Sequence, residues 1–297
     1  MIIPLSIIAM MACGKTGVDN PAEPTEEDAI FNIIRYDETQ AFGIDMMDTT
    51  TGDTTLLLGE PYVVRHFWRK ILRDSMFIYI ALDDPADSLG AVPSADVVVR
   101  KFIWGRLEVM GIDTTGGGSI PVRFSKPFLS GGEIDAVFER VGSSGDRRRG
   151  WQLSRISDTS IGWRTTYIRT IEIVPENNPD TILYPFSYPP PGLPYSVLGR
   201  DQLYTYAPSE SVSIRVHTED NYPFCYVTLK YPTDSGFGFQ RLNPDSSGEY
   251  ITGFRMPNLR GFGHFLIDVV SNDAVTTDSD SLNYNPAGAD VLYKLPF

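Results

Sequence analysis

Histidine and cysteine are the scarce residues of this 297-residue chain, with three of one and two of the other. So few leave little material for a zinc, haem or iron–sulfur centre, and no cofactor is expected. The chain is long enough to bury a full core, so neither a disulfide nor a metal staple is required. Basic side chains are outnumbered, 25 Lys and Arg to 38 Asp and Glu, for a formal charge of −13. Nucleic-acid binding rests on neutralising phosphates with Lys and Arg, so this balance argues against such a partner. The hydrolase signatures G-x-S-x-G and H-E-x-x-H are missing, and so is an S-x-x-K with its companions. The histidines His66, His217 and His264 share no metal-ligand spacing. Gly14-Lys15-Thr16 ends like a phosphate-binding loop, but Ala9 stands where that loop needs glycine. A non-enzyme is the expectation; a glycosidase, which needs only two carboxylates, would draw on Asp83, Asp84 or Glu108.

What is present begins with an address. Ile2 to Met11 is a ten-residue apolar run, half of what a membrane-spanning helix needs and the right length for a signal-peptide core. It ends in Met10-Met11-Ala12-Cys13-Gly14, which resembles the lipobox of bacterial lipoproteins, with Met10 where that family prefers Leu. The resemblance implies a signal peptide over 1–13 and lipidation of Cys13. It also implies an extracytoplasmic protein held by that lipid at the outer membrane or cell surface. Residues 14–24 carry two prolines, no aromatic residue and one aliphatic larger than alanine, Val18, so they cannot offset the entropy of ordering and read as a flexible tether.

The rest reads as mainly β, in two bodies. Over 25–174 an α+β domain is expected, one helix followed by a curved antiparallel sheet. Thr25-Glu26-Glu27-Asp28 opens the helix with a capping-box pattern, and Ala29, Ile30, Ile33 and Ile34 give its apolar stripe. Met76–Leu82 reads as a buried strand and Asp96–Met110 as a long strand with a bulge at Gly105. Ile134–Val141 and Trp151–Ile156 read as a hairpin, and Tyr167–Val174 as an alternating strand. Tyr62–Leu72 fits helix or strand equally. Over 175–194 the chain has seven prolines in twenty residues, which excludes a helix or central strand and marks a linker.

Residues 195–297 hold short strands near 211–217, 224–231, 250–255, 263–271 and 290–295, the spacing of a β-sandwich. Gly248-Glu249-Tyr250, Met256-Pro257 and Gly261–Asp273 resemble the late strands of bacterial immunoglobulin-like or fibronectin-III-like modules. An Ig-like β-sandwich is what that resemblance implies. Phe265 stands where such modules often carry a tyrosine, and the Cys–Trp–Cys framework of antibody domains is absent.

Charge is divided unevenly. Residues 14–62 hold 2 basic and 11 acidic side chains, whereas residues 63–174 hold 16 basic and 13 acidic ones, with thirteen arginines. Two readings follow: the acidic helix packs on the arginine-bearing sheet, or that sheet meets an anionic polymer or headgroup. Arg147, Arg148 and Arg149 are the candidate anion contacts. Tyr184, Phe186, Tyr188 and Tyr195 in the linker are candidate stacking aromatics, or pins that hold it to its neighbours. The functional expectation is binding or scaffolding at the envelope, with the membrane and an envelope polymer or protein as partners. A carbohydrate-active or carbohydrate-binding accessory protein, or a carrier of a small apolar ligand, is the alternative.

Overall fold

The structure, a computed structural model, describes residues 7–8, 25–43, 62–83, 92–115, 119–161, 168–176, 182–185, 197–199, 202–218, 225–242, 244–245, 248–271, 275 and 287–296. Cys13, the tether, Phe186, Tyr188 and Tyr195 lie outside the described residues, as does the side chain of Tyr184. Among the described residues the chain is mainly β, with one short α-helix that can be described as an element.

That helix, α1 (Glu26–Asn32), starts where the capping pattern puts it: the Thr25 hydroxyl accepts from the Asp28 amide at 3.1 Å. It runs on into a π turn over Ile33–Asp37, and Ala29, Ile30, Ile33 and Ile34 are all buried. Two-residue β1 (Ile7–Ile8) pairs with Ile78 and Tyr79 of β2 (Tyr62–Asp83). The stretch that fitted helix or strand is therefore strand. Met76–Leu82 is less buried than its composition suggests, with Met76 and Leu82 exposed and Ile78 alone in the core. The reason is position: among the described residues β2 has β3 (Ser94–Asp113) on one side and the two-residue β1 on the other.

β2, β3 and β4 (Ile120–Arg140) form a long antiparallel ribbon. β3 is continuous through Gly105, and the irregularity lies opposite it, where β2 shifts register between Ile71 and Arg73. The glycine is needed for a different reason. A Cβ there would stand 2.5 Å from the Lys70 carbonyl and 2.6 Å from the Phe128 ring. β4 turns through Arg147–Gly150 into β5 (Trp151–Ser157), with Arg140 opposite Trp151, as the hairpin reading requires.

The C-terminal strands make a sandwich-like arrangement. One sheet has the order β13 (Tyr250–Arg255), β10 (Ser211–Thr218), β7 (Ile168–Pro175) and β8 (Ile182–Pro185). Facing it are β6 (Thr159–Ile161), β15 (Ala287–Leu295), β14 (Gly261–Ser271), β11 (Cys225–Thr233) and β12 (Gly236–Leu242). Val212, Ile214 and Val216 interlock with Leu229, Phe265, Ile267 and Val291 in the core between the sheets. β12, a Gly- and Phe-rich strand, had no clear sequence signal.

The division at 175–194 does not separate two sheets. β7 from before it pairs with β10 from after it, β6 pairs with β15, and β5 pairs with β9 (Val197–Gly199). Alternating burial along β7 suits it to a sandwich with one wet face, and β8, with Pro185 as its last residue, sits at that sheet's edge. The outer side of β14 is dry as well. Leu266 and Val270 pack on Phe67, Leu107, Phe124 and Phe128 of the ribbon, and Phe262 and Leu292 pack with the helix cluster. The result is three layers, with the β14–β15 sheet in the middle.

Candidate binding surface

Alternation along β3 sets up two faces. Val97, Val99, Ile103, Leu107 and Val109 are buried on the inner one. Arg100, Phe102, Trp104, Arg106, Glu108 and Met110 therefore stand on the outer one. Pairing register adds Phe77, Arg73, Lys70, Trp68 and His66 from β2. From β4 come Glu133, Leu129, Pro127, Ser125 and Arg123.

On this face rings and guanidinium groups alternate in contact. Phe102 stacks near Trp104 with centroids 6.0 Å apart, and Phe77 meets Phe102 edge-on at 5.5 Å. The guanidinium of Arg73 lies 5.4 Å from the Trp104 centroid, that of Arg123 5.6 Å from Trp68, and that of Arg100 5.6 Å from Tyr79. Glu108 organises one end: the Ser125 hydroxyl donates to it at 2.8 Å, and Arg123 approaches at 3.4 Å. Arg100 is bonded to Glu133. Over the stretch from Phe77 to Met110, five cations face two carboxylates in a chain whose net charge is −13. Met110 and Leu129 add exposed apolar surface. Chemically, such a face offers flat rings to the C–H side of a sugar and planar forks to its carboxylates.

Arg147, Arg148 and Arg149 stand elsewhere, in a turn aimed at the helix. Arg148 and Arg149 have left-handed φ values of 54° and 51°, a strain of about 1–2 kcal/mol each. Arg148 grips Asp37 through Nε at 2.7 Å and Nη2 at 3.1 Å, while Arg147 reaches the same carboxylate at 2.7 Å. Arg149 donates to Glu26 at 3.0 and 2.8 Å, and Arg140 and the Trp151 indole N–H converge on Glu26 too. The Arg149 hydrogen bond is the main reason that the Glu26 carboxyl is held below its usual range, against the opposing effect of burial. Burial would raise Asp37, but Arg148 and Arg147 outweigh it and lower that carboxyl as well. The acidic helix thus packs on arginines, those of this turn and Arg140. Arg147 alone among the three keeps a mostly exposed side chain.

The histidines do not assemble into a reactive group. His264 Nδ1 lies 2.7 Å from Asp290, and its Nε2 is bonded to the Gln40 carbonyl. With an acceptor at each nitrogen, the ring clamps Asp290 to the Gln40 carbonyl, an arrangement that favours its protonated form. His217 sits between Glu172 at 3.0 Å and Glu249 at 3.3 Å on the sandwich surface. His66 lies beside Trp68. Asp83 and Glu108 are fourteen residues apart in the ladder, since Asp83 pairs with Ser94. At about 3.3 Å per residue this is roughly 46 Å, too far for the paired carboxylates of a glycosidase. Asp84 lies outside the described residues. No group of three potential metal ligands occurs among the described residues.

The aromatic members of the outer face lie apart from the candidates drawn from the sequence, which are Arg147, Arg148, Arg149 and the linker aromatics. A signal was present: Arg100-x-Phe102-x-Trp104-x-Arg106 repeats with period two, which places all four side chains on one side of a strand. Comparison with known proteins finds no matching family model, no similar curated protein and no similar solved structure.

Proposed function

We propose that this chain is a non-catalytic binding protein of the bacterial cell envelope, lipid-anchored through Cys13 and outside the cytoplasm. Its working surface is the outer face of the β2–β3–β4 ribbon. The observation that carries the reading is the alternation of Arg73, Trp104 and Phe102 with Arg100 and Arg123 across three paired strands. Rings stack on sugar faces and guanidinium groups pair with acids, so the partner is an acidic envelope polysaccharide. Engagement of both His264 nitrogens supports the non-catalytic part. The C-terminal half is read as an immunoglobulin-like or fibronectin-III-like module. Its strand order, β7–β10–β13 facing β15–β14–β11–β12, supports that reading.

The test is retention on immobilised acidic and neutral polysaccharide at low and high salt. Binding to the acidic polymer that weakens with salt is expected, with Trp104→Ala and Arg73→Glu each reducing it. Equal retention of wild type and both variants would exclude this face. For the anchor, Cys13→Ala is expected to release the protein from membranes; an unchanged membrane fraction would refute lipidation.

A further inference from the structure

A cavity lies beside the sandwich, apart from the outer face of the ribbon. The β11–β12 hairpin, the loop leading into β14 and the segment after the helix converge on it, and its volume is about 510 Å³. This is within the range of small-molecule sites. The hairpin and loop are tied together, since Asn258 donates its backbone N–H to Asp234 at 2.7 Å.

The walls have two characters. Phe237 and Leu259 line the cavity while remaining 59 % and 44 % exposed, and Phe262 and Leu266 continue the apolar surface inward. Charge on the lining is Lys101, Lys230, Arg260 and His264 against Asp234 and Asp290. His264 and Asp290 neutralise each other at 2.7 Å and Lys101 stands 3.7 Å from Asp74, so the charge remaining on the lining is Lys230 and Arg260 against Asp234. The Lys230 ammonium stands 4.4 Å from the Phe237 ring centroid, so cation and ring are presented side by side.

A further observation comes from Tyr293. Its ring is 1 % exposed, yet its hydroxyl has no hydrogen-bond partner among the described residues. Buried hydroxyls are normally paired, because an unmade hydrogen bond is costly. Tyr293 and Gly263 both line the cavity, and the hydroxyl lies against Gly263, where a Cβ would stand 2.3 Å from it. The glycine makes room for an O–H donor that no described residue accepts from.

We propose that this cavity binds an amphiphilic anion, a carboxylate carried on an apolar body. The apolar body lies against Phe237, Leu259 and Leu266. The carboxylate is held by the local cations, Arg260 and Lys230 foremost, and accepts the Tyr293 hydroxyl proton as a hydrogen bond.

The test uses the full chain titrated with 1-anilinonaphthalene-8-sulfonate, a fluorescent amphiphilic anion, followed by displacement with laurate or dodecyltrimethylammonium. Saturable binding displaced by laurate, with the cationic amphiphile ineffective, is the expected result. Tyr293→Phe keeps the ring and removes the hydroxyl, and should weaken laurate by about tenfold, the loss of one hydrogen bond to a charged group. Arg260→Glu and Phe237→Ser, both at exposed positions, should weaken it too without lowering the melting temperature. Absence of saturable binding, equal displacement by the cation, or laurate affinity unchanged in all three variants would each overturn the proposal.

Discussion

Arg69 of the ribbon and Asp268 of the sandwich are 199 positions apart in the chain and meet at 2.6 Å, with the guanidinium side chain wholly buried. Burial pushes the Asp268 carboxyl up, and the Arg69 charge only partly brings it back. The pair joins two layers through a dry interface that also holds Phe67, Leu107 and Leu266. Removing one partner strands the other charge. Arg69→Met should therefore cost about 3–5 kcal/mol of unfolding free energy in urea. Arg69→Met with Asp268→Leu should recover most of that loss, because apolar packing replaces a buried ion pair at little cost.

The clamp on Gln40 makes stability fall as pH rises. Burial disfavours the His264 cation, but the charge and hydrogen bond of Asp290, with the Gln40 carbonyl and Asp158, outweigh it and hold the ring above its usual range. Asp158 is pushed up to about 7 by burial, against the N–H of Leu292. Both groups bind their protons more tightly folded than unfolded, so their stabilisation is complete at low pH. Asp158 loses its share as pH climbs from its ordinary range through 7. His264 loses its share above about 6.5, as pH passes its raised folded value. Melting temperature should fall between pH 5 and 8.5. Asp158→Asn should flatten the lower part of that fall and His264→Gln the upper part.

The acid side behaves oppositely, through the arginine turn. Glu26 and Asp37 are held below their usual range, so their contribution is present above about pH 4.5 and is lost as pH drops through the lowered values. The helix should loosen first. Trp151, whose indole N–H donates to Glu26, should report this as a fluorescence change below pH 4 that precedes global unfolding. Glu26→Ala should abolish the early step and cost about 1–3 kcal/mol at neutral pH.

Gly105→Ala should be poorly tolerated, although the site is an ordinary strand position by its backbone. The added methyl meets the Phe128 ring and the Lys70 carbonyl at once. Displacing that ring disturbs the packing between ribbon and sandwich. A loss of about 1–3 kcal/mol is expected from overpacking, measured as a lower urea midpoint.

Much of the local structure was legible in the sequence. Thr25 announces the helix start, alternation announces β7, and the Arg140–Trp151 hairpin follows from its turn. Tyr62–Leu72 was not legible, because Val63, Val64, Phe67 and Trp68 satisfy both helical and strand spacing, and only pairing with β3 decides between them. The strand pairs that cross the proline-rich segment were not legible either, for a physical reason. Proline density marks where a chain cannot lie in a central strand, and carries no information about which strands on either side pair with each other. The Arg69–Asp268 pair and the burial of the Tyr293 hydroxyl depend on layers meeting in space, and no spacing rule reaches them.

The pairing of β7 with β10 and of β6 with β15 means that neither half of the chain owns a complete set of hydrogen-bonded neighbours. A backbone break between residues 186 and 196 would divide the molecule into two fragments, each lacking what the other supplies. Expressed separately, each should be insoluble or unfolded. Mixed or co-expressed, they should reconstitute one noncovalent particle, with these two strand pairs and that of β5 with β9 serving as the recognition code. That would make the linker a site for splitting the protein into a conditional, two-component form.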